Sequence, residues 1–159
     1  MLIHELNRAE CFALLQRNSV GRLGYARFEQ PHIVPIHFSF DADRNYVYGF
    51  STVGEKVDSM RRNPRVCLEV DEIVDKNYWS TVLVVGRYRE IHRDPREAEA
   101  LRRAEQLFRD RDEWWLPGAA KLASKEHEHA VIYRISVDRV TGRRAARGRS
   151  EAPALAATA

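Results

Sequence analysis

Residues 32–70 read HIVPIHFSFDADRNYVYGFSTVGEKVDSMRRNPRVCLEV. The pattern is strand, turn, strand, glycine turn, short helix, strand. From Ile33 to Phe40 two sets of side chains alternate, as they do on the two faces of a strand. Val34, Ile36, Phe38 and Phe40 have the stronger claim to a core. Ile33, Pro35, His37 and Ser39 would then face a groove or a partner. Pro35 gives up a backbone donor, which leaves a gap in a strand ladder. Asp41 to Asn45 has turn composition, and Tyr46 to Ser51 makes the second strand of a hairpin. The next turn carries Gly54 and Lys56, and the helix from Lys56 to Arg62 is stopped by Asn63-Pro64. Val66, Leu68 and Val70 alternate with Arg65, Glu69 and Asp71, so the following strand has one wet face.

Outward from this stretch the same reasoning continues. Asn7 and Glu10 form a capping box for a helix that puts Cys11, Leu14 and Leu15 on one face and ends near Asn18. Val20 to Phe28 reads as a strand in which Gly21 and Gly24 permit close approach or a bulge. Asp71 to Lys76 reads as an acidic turn, Trp79 to Ile91 as the longest strand, and Asp94-Pro95 as a helix start. That helix carries Ala98, Leu101, Leu107 and Phe108 on one face. Ala130 to Val137 reads as the last strand. Six short strands, a connector helix and two flanking helices imply a mainly β protein, and the pattern leaves an antiparallel barrel and a sandwich both open. Residues 1–146 are expected to form one domain, and residues 147–159, lacking periodicity, a disordered tail.

Composition narrows the function. The chain has 159 residues, 44% of them hydrophobic and 31% charged, with a net charge of +3. That charge suits a phosphate-bearing ligand and is too small to argue for nucleic acid. Two cysteines without metal-site or disulfide spacing point to a reducing, cytoplasmic setting. The N-terminus lacks the pattern of a signal peptide, and no apolar run approaches a membrane span. Walker, Gly-x-Ser-x-Gly and Gly-x-Gly-x-x-Gly motifs are absent from the sequence, which removes support for NTPase, hydrolase and Rossmann readings.

The order and spacing of several short pieces carry more than any one of them. Val20-Gly21-Arg22-Leu23 is followed by Val34-Pro35-Ile36-x-Phe38 and by Ser51-Thr52-x-Gly54-x-Lys56. Asn63-Pro64-Arg65-Val66-Cys67 and Trp79-x-Thr81-Val82-x-Val84-x-Gly86 come next. Together, from about Glu5 to about Arg143, they resemble the FMN-binding split-barrel family that includes the pyridoxamine 5'-phosphate oxidases, nearest its nitroimidazole-resistance-like branch. The resemblance implies an antiparallel split β-barrel. On spacing alone Lys56 is a solvated lysine after a turn glycine. The resemblance makes it a contact to the FMN phosphate, with Ser51 and Thr52 as hydroxyl donors. The oxidases proper carry an Arg-Lys pair where this chain has Glu55-Lys56, one cation fewer.

The same resemblance lays the strand Val34, Pro35, Ile36, His37 and Phe38 along the flavin. It puts Phe50 beside Ser51 and Thr52, and Trp79, Ser80 and Thr81 near the pyrimidine edge. Without it, these are a buried strand with an edge proline, a structural histidine and a strand start. Trp114-Trp115 would lie at an interface between two copies, because sites in this fold are shared between chains. His127 and His129 are two apart, but without acidic or cysteine partners nearby a solvated pair is the simpler reading, and no metal site is expected. No side chain stands out as general acid or base, as suits an enzyme whose cofactor carries the chemistry.

The expectation is therefore a homodimeric FMN-dependent oxidoreductase. It would move electrons from a reduced nicotinamide to a small planar acceptor such as a nitro compound. Alternatives are a flavin carrier or sensor without turnover, and the same fold with deazaflavin or haem.

Overall fold

The structure, a computed structural model, describes residues 2–110 and 130–146. The Trp114-Trp115 pair, His127, His129 and residues 147–159 lie outside the described residues. Eight antiparallel strands form one sheet: β1 (Leu2–Leu6), β2 (Val20–Arg27), β3 (Gln30–His37), β4 (Ser39–Asp41), β5 (Tyr46–Thr52), β6 (Arg65–Asp75), β7 (Tyr78–Ile91) and β8 (Ala130–Ala146). Their order is β3-β2-β6-β7-β8-β5-β4, with β1 added alongside β8. β3 and β4 are the two ends of that path, yet only Phe38 separates them in the chain. One continuous segment thus supplies both edges, so the sheet curls into a split β-barrel in which the chain itself bridges the gap. At the break the Phe38 N–H donates to the Ser19 carbonyl at 2.9 Å.

The alternation read from residues 33–40 holds as far as Phe38 and fails at Ser39, which was expected on the open face but is buried, its hydroxyl donating to the Leu107 carbonyl of the third helix at 3.2 Å. Ile36, Phe38 and Phe40 are buried, whereas Ile33, Pro35 and His37 are exposed. Phe38 joins Leu14, Leu15, Leu23, Leu68, Val70, Val82, Val84 and Ile135 in the main core. Gly21 serves close approach, since a Cβ there would stand 2.9 Å from the Glu69 carbonyl oxygen.

Among the described residues three α-helices cover the barrel. In α1 (Arg8–Arg17) the capping box of Asn7 and Glu10 is complete. α2 (Glu55–Arg62) buries Val57 and Met60, and Arg61 grips Glu90 of β7 through Nε at 2.6 Å. α3 (Ala98–Arg109) follows a 3-10 turn, Pro95–Glu97, capped by the Asp94 side chain. Its Ala104 and Phe108 close a second apolar cluster over Tyr48, Ile91 and Ile132.

Three local expectations change. The acidic stretch from Asp71 is strand, not turn, because β6 continues to Asp75. Its charges are neutralised across the sheet: Arg22 reaches Asp71 at 2.6 Å and Arg17 reaches Glu72 at 2.6 Å. The last strand extends beyond Val137 to Ala146, pairing with β7 on one side and β1 on the other. Its arginines find carboxylates there, Arg143 on Glu5 and Arg144 on Glu10. Asp41 is no solvated turn residue. It is 2% exposed and held by the Arg103 Nε at 2.7 Å, which keeps its carboxyl below the usual range.

Candidate functional site

The residues singled out from sequence divide into an outer sheet face, a set turned inward and a helix start. Register places Pro35 opposite Arg22, Arg22 opposite Glu69 and Glu69 opposite Leu83. His37 pairs with Val20, and Thr81 with Asp71, on the same face. The Thr81 hydroxyl donates to Glu69 at 2.8 Å, and Arg22 bridges Glu69 and Asp71 at 3.1 and 2.6 Å. This face has an apolar border, with Ile33 72%, Val20 49% and Leu83 38% exposed. His37 is exposed by area, yet burial of its imidazole pushes its pKa down, which favours the neutral ring near pH 7.

Alternation turns the others inward. Ile36 and Phe38 belong to the core, with Val34 packed against it. Ser80 is buried and accepts a hydrogen bond from the Arg144 Nε at 3.2 Å. Phe50 is the exception: it lies on the other face of β5, in the cluster beneath α3, edge-on against Phe108 with ring centroids 5.4 Å apart. The backbone of β3 can still edge a flat ligand, but these side chains build the barrel beneath it.

The third group lies where β5 runs into α2. Gly54 is the N-cap, with no side chain to accept from the first-turn amides. The first helical bond is Asp58 N–H to the Gly54 carbonyl at 3.0 Å. The amides of Glu55, Lys56 and Val57 precede it and have no intrahelical acceptor. Gly54 is extended, at φ 176°, and a Cβ added there would meet nothing within 4 Å. Neither conformation nor space inside the chain demands glycine at this position. Lys56 is half-buried, burial pushes its pKa down, and it has no counter-charge among the described residues. The Ser51 hydroxyl donates to the Thr52 carbonyl at 3.0 Å, so its proton is already engaged, whereas Thr52 is exposed.

Arg27 is the residue the sequence did not single out. From the end of β2 its Nη1 binds Glu55 at 2.8 Å, which ties the start of α2 to the β2–β3 hairpin. It also neutralises the glutamate that stands where the oxidases carry arginine. Nothing in the sequence pairs residues 28 apart, so no local signal could have found it. Arg22 lay within a quoted motif, but its place between two carboxylates depends on sheet register.

An uncapped helix start with a half-buried cation suits an anion. The outer strand face has an apolar border. Fold and site together define a split-barrel protein with an uncapped helix start and an open strand face. The family model for pyridoxamine 5'-phosphate oxidase matches residues 7–144, and the chain belongs to that family. An uncharacterised protein of Rhizobium meliloti (strain 1021) is 32% identical over 151 residues, covering 93% of this chain and 99% of its own. A FAD-binding protein from Mesorhizobium loti, solved as a crystal structure, is 32% identical with a TM-score of 0.75, covering 92% of this chain and 99% of its own. The fold is also that of a Bacteroides thetaiotaomicron protein described as a candidate 5-nitroimidazole antibiotic resistance protein, at 15% identity and a TM-score of 0.61 over 90% of this chain and 89% of the other. Among the described residues no helix is long and apolar enough to cross a membrane.

Proposed function

We propose that this chain is a flavin-binding oxidoreductase that takes FMN as a homodimer. The observation that carries the reading is Lys56, a half-buried cation without a counter-charge among the described residues, beside uncapped first-turn amides. A buried ammonium without a partner is unfavourable, and a phosphate dianion is the partner that both Lys56 and the amides would accept. The open space at Gly54 lets that phosphate approach the backbone.

The residues present fit a flavin. Lys56, the amides of α2 and the Thr52 hydroxyl would hold the phosphate. Pro35, His37 and the β3 backbone would edge the ring, with Thr81 across the same face. A bound flavin supplies reversible two-electron chemistry, here from a reduced nicotinamide to a small planar acceptor, with nitro compounds one class to assay. The chain's own work is to bind, orient and exclude water. A neutral His37 can hold one hydrogen bond without adding charge beside the ring.

Homodimer formation belongs to the same reading. The exposed Ile33, Val20 and Leu83 border the face on which the ring would lie. A two-fold partner is the commonest way for a soluble protein to cover such a border.

A second reading, FAD in place of FMN, is favoured by the Mesorhizobium loti relative, which is a FAD-binding protein. The test is direct. Purified protein should be yellow, and flavin released by denaturation should run with FMN on chromatography. FAD in the released fraction would shift the reading to the dinucleotide. A colourless protein that fails to take up either flavin at micromolar concentration would remove the proposal.

A further inference from the structure

A pocket lies between the sheet and the start of α3. It encloses about 440 Å³. Its floor is a row of register neighbours, Tyr48 on β5, Arg134 on β8 and Arg89 on β7. Its wall is the 3-10 turn and the first turn of α3, which bring in Arg96, Glu97 and Glu99. Tyr46 and Tyr48 occupy the first half of β5, whereas the Gly54–Lys56 turn follows its far end. At about 3.3 Å per residue, Tyr46 and Thr52 stand about 20 Å apart.

The charges in this pocket do not cancel. Arg44, Arg89, Arg96 and Arg134 face two carboxylates, and both carboxylates are engaged. Glu97 is held by the Arg89 Nη2 at 2.7 Å and by the His92 N–H at 2.6 Å. Glu99 is held by the Arg44 Nη2 at 2.7 Å. Arg96 and Arg134 have no carboxylate partner among the described residues. Arg134 instead lies over the Tyr46 ring, 4.5 Å from its centroid, an arrangement that holds the guanidinium without neutralising it. The floor also holds an orphan. Tyr48 is fully buried and its hydroxyl makes no hydrogen bond, the Arg134 guanidinium approaching it without the geometry of one. Buried hydroxyls are nearly always satisfied, and an exception calls for a missing partner.

We propose that this pocket is a second anion site, in which Arg96 and Arg134 hold a small phosphate monoester. Planar guanidinium forks bind phosphate oxygens in pairs. The buried Tyr48 lies beneath them, and the half-buried Tyr46 ring gives the organic part of the ligand an apolar wall. The site is independent of the flavin reading, since it shares no residue with the Gly54–Lys56 turn.

The experiment is calorimetric titration of the full-length protein, as purified, with phenyl phosphate at low ionic strength. Saturable binding into the millimolar range is expected. Arg96→Gln and Arg134→Gln should each weaken it about ten- to a hundredfold, as for loss of a charge-assisted bond. Lys56→Met should leave it unchanged. Arg96 is exposed, so its variant decides the matter if Arg134→Gln fails to fold. Absence of saturable binding to the wild type would overturn the proposal. So would loss of binding in Lys56→Met with none in Arg96→Gln, since the phosphate would then sit at the helix start. A protein that takes up neither added flavin yet binds phenyl phosphate through Arg96 would sink the flavin reading alone.

Discussion

Replacing Lys56 by methionine separates the phosphate contact from everything else the lysine does. Methionine keeps the apolar stem and removes only the charge. A hydrogen bond to a charged group is worth about 1.5–3 kcal/mol, so FMN should bind about ten- to a hundredfold more weakly. Riboflavin, which lacks the phosphate, should bind the variant as it binds the wild type. The effect on the empty protein should have the opposite sign. Burial pushes the Lys56 pKa below that of the unfolded chain. The unfolded state therefore binds more protons, and stability rises as pH climbs through the folded value toward the unfolded one. The charged lysine is thus a cost to the empty fold at neutral pH, and Lys56→Met should melt at the same temperature or higher. The assay is quenching of flavin fluorescence on titration with apo-protein, for FMN and for riboflavin. Lys76→Met, exposed at the β6–β7 turn, serves as control. If Lys56→Met weakened FMN and riboflavin equally, or matched Lys76→Met with both, the phosphate assignment would be wrong.

The two glycines should behave oppositely. Gly21→Ala should cost about 1–3 kcal/mol in urea unfolding by crowding the Glu69 carbonyl and Leu68. Gly54→Ala should leave stability within about 0.5 kcal/mol and yet weaken FMN binding, because its open space would be the ligand's. A Gly54→Ala variant with full FMN affinity would show that nothing approaches that backbone. Asp41→Asn should cost about 1–3 kcal/mol at neutral pH by trading a charge-assisted bond for a neutral one. Arg103 holds the folded Asp41 carboxyl below its unfolded value, so this contribution is present above the unfolded value and is lost as pH falls through the folded one. The wild type and Asp41→Asn should therefore converge in stability below about pH 4, and parallel curves down to acid would refute the assignment. Ile33→Asp on the outer face should convert a dimer to a monomer in sedimentation and lower its flavin content. A wild-type monomer with a full complement of flavin would rule out a shared site.

Residues 32–70 by themselves determined much of this protein. The alternation of Val34, Ile36, Phe38 and Phe40 with Ile33, Pro35 and His37 is a property of strand geometry, so it gave the core face and the open face together. The capping box at Asn7, the stop at Asn63-Pro64 and the Asp94-Pro95 start are likewise local, and each fell where the backbone chemistry of a few residues put it. What tertiary structure decided is whatever depends on partners far along the chain. Asp71 and Glu72 read as a turn until Arg22 and Arg17 neutralise them, and the last strand reads as ending at Val137 until pairing with β1 and β7 carries it to Ala146. β1 exists as a strand because β8 offers it an edge. Arg27 joins the helix start through a residue 28 positions away, Phe50 is covered by α3, and Ser80 is held by Arg144. The Arg96–Arg134 pocket is assembled from β5, β7, β8 and the 3-10 turn, whose residues have no common period in sequence. Burial and charge pairing are sums over neighbours, and a one-dimensional pattern records only the neighbours that lie within a few residues.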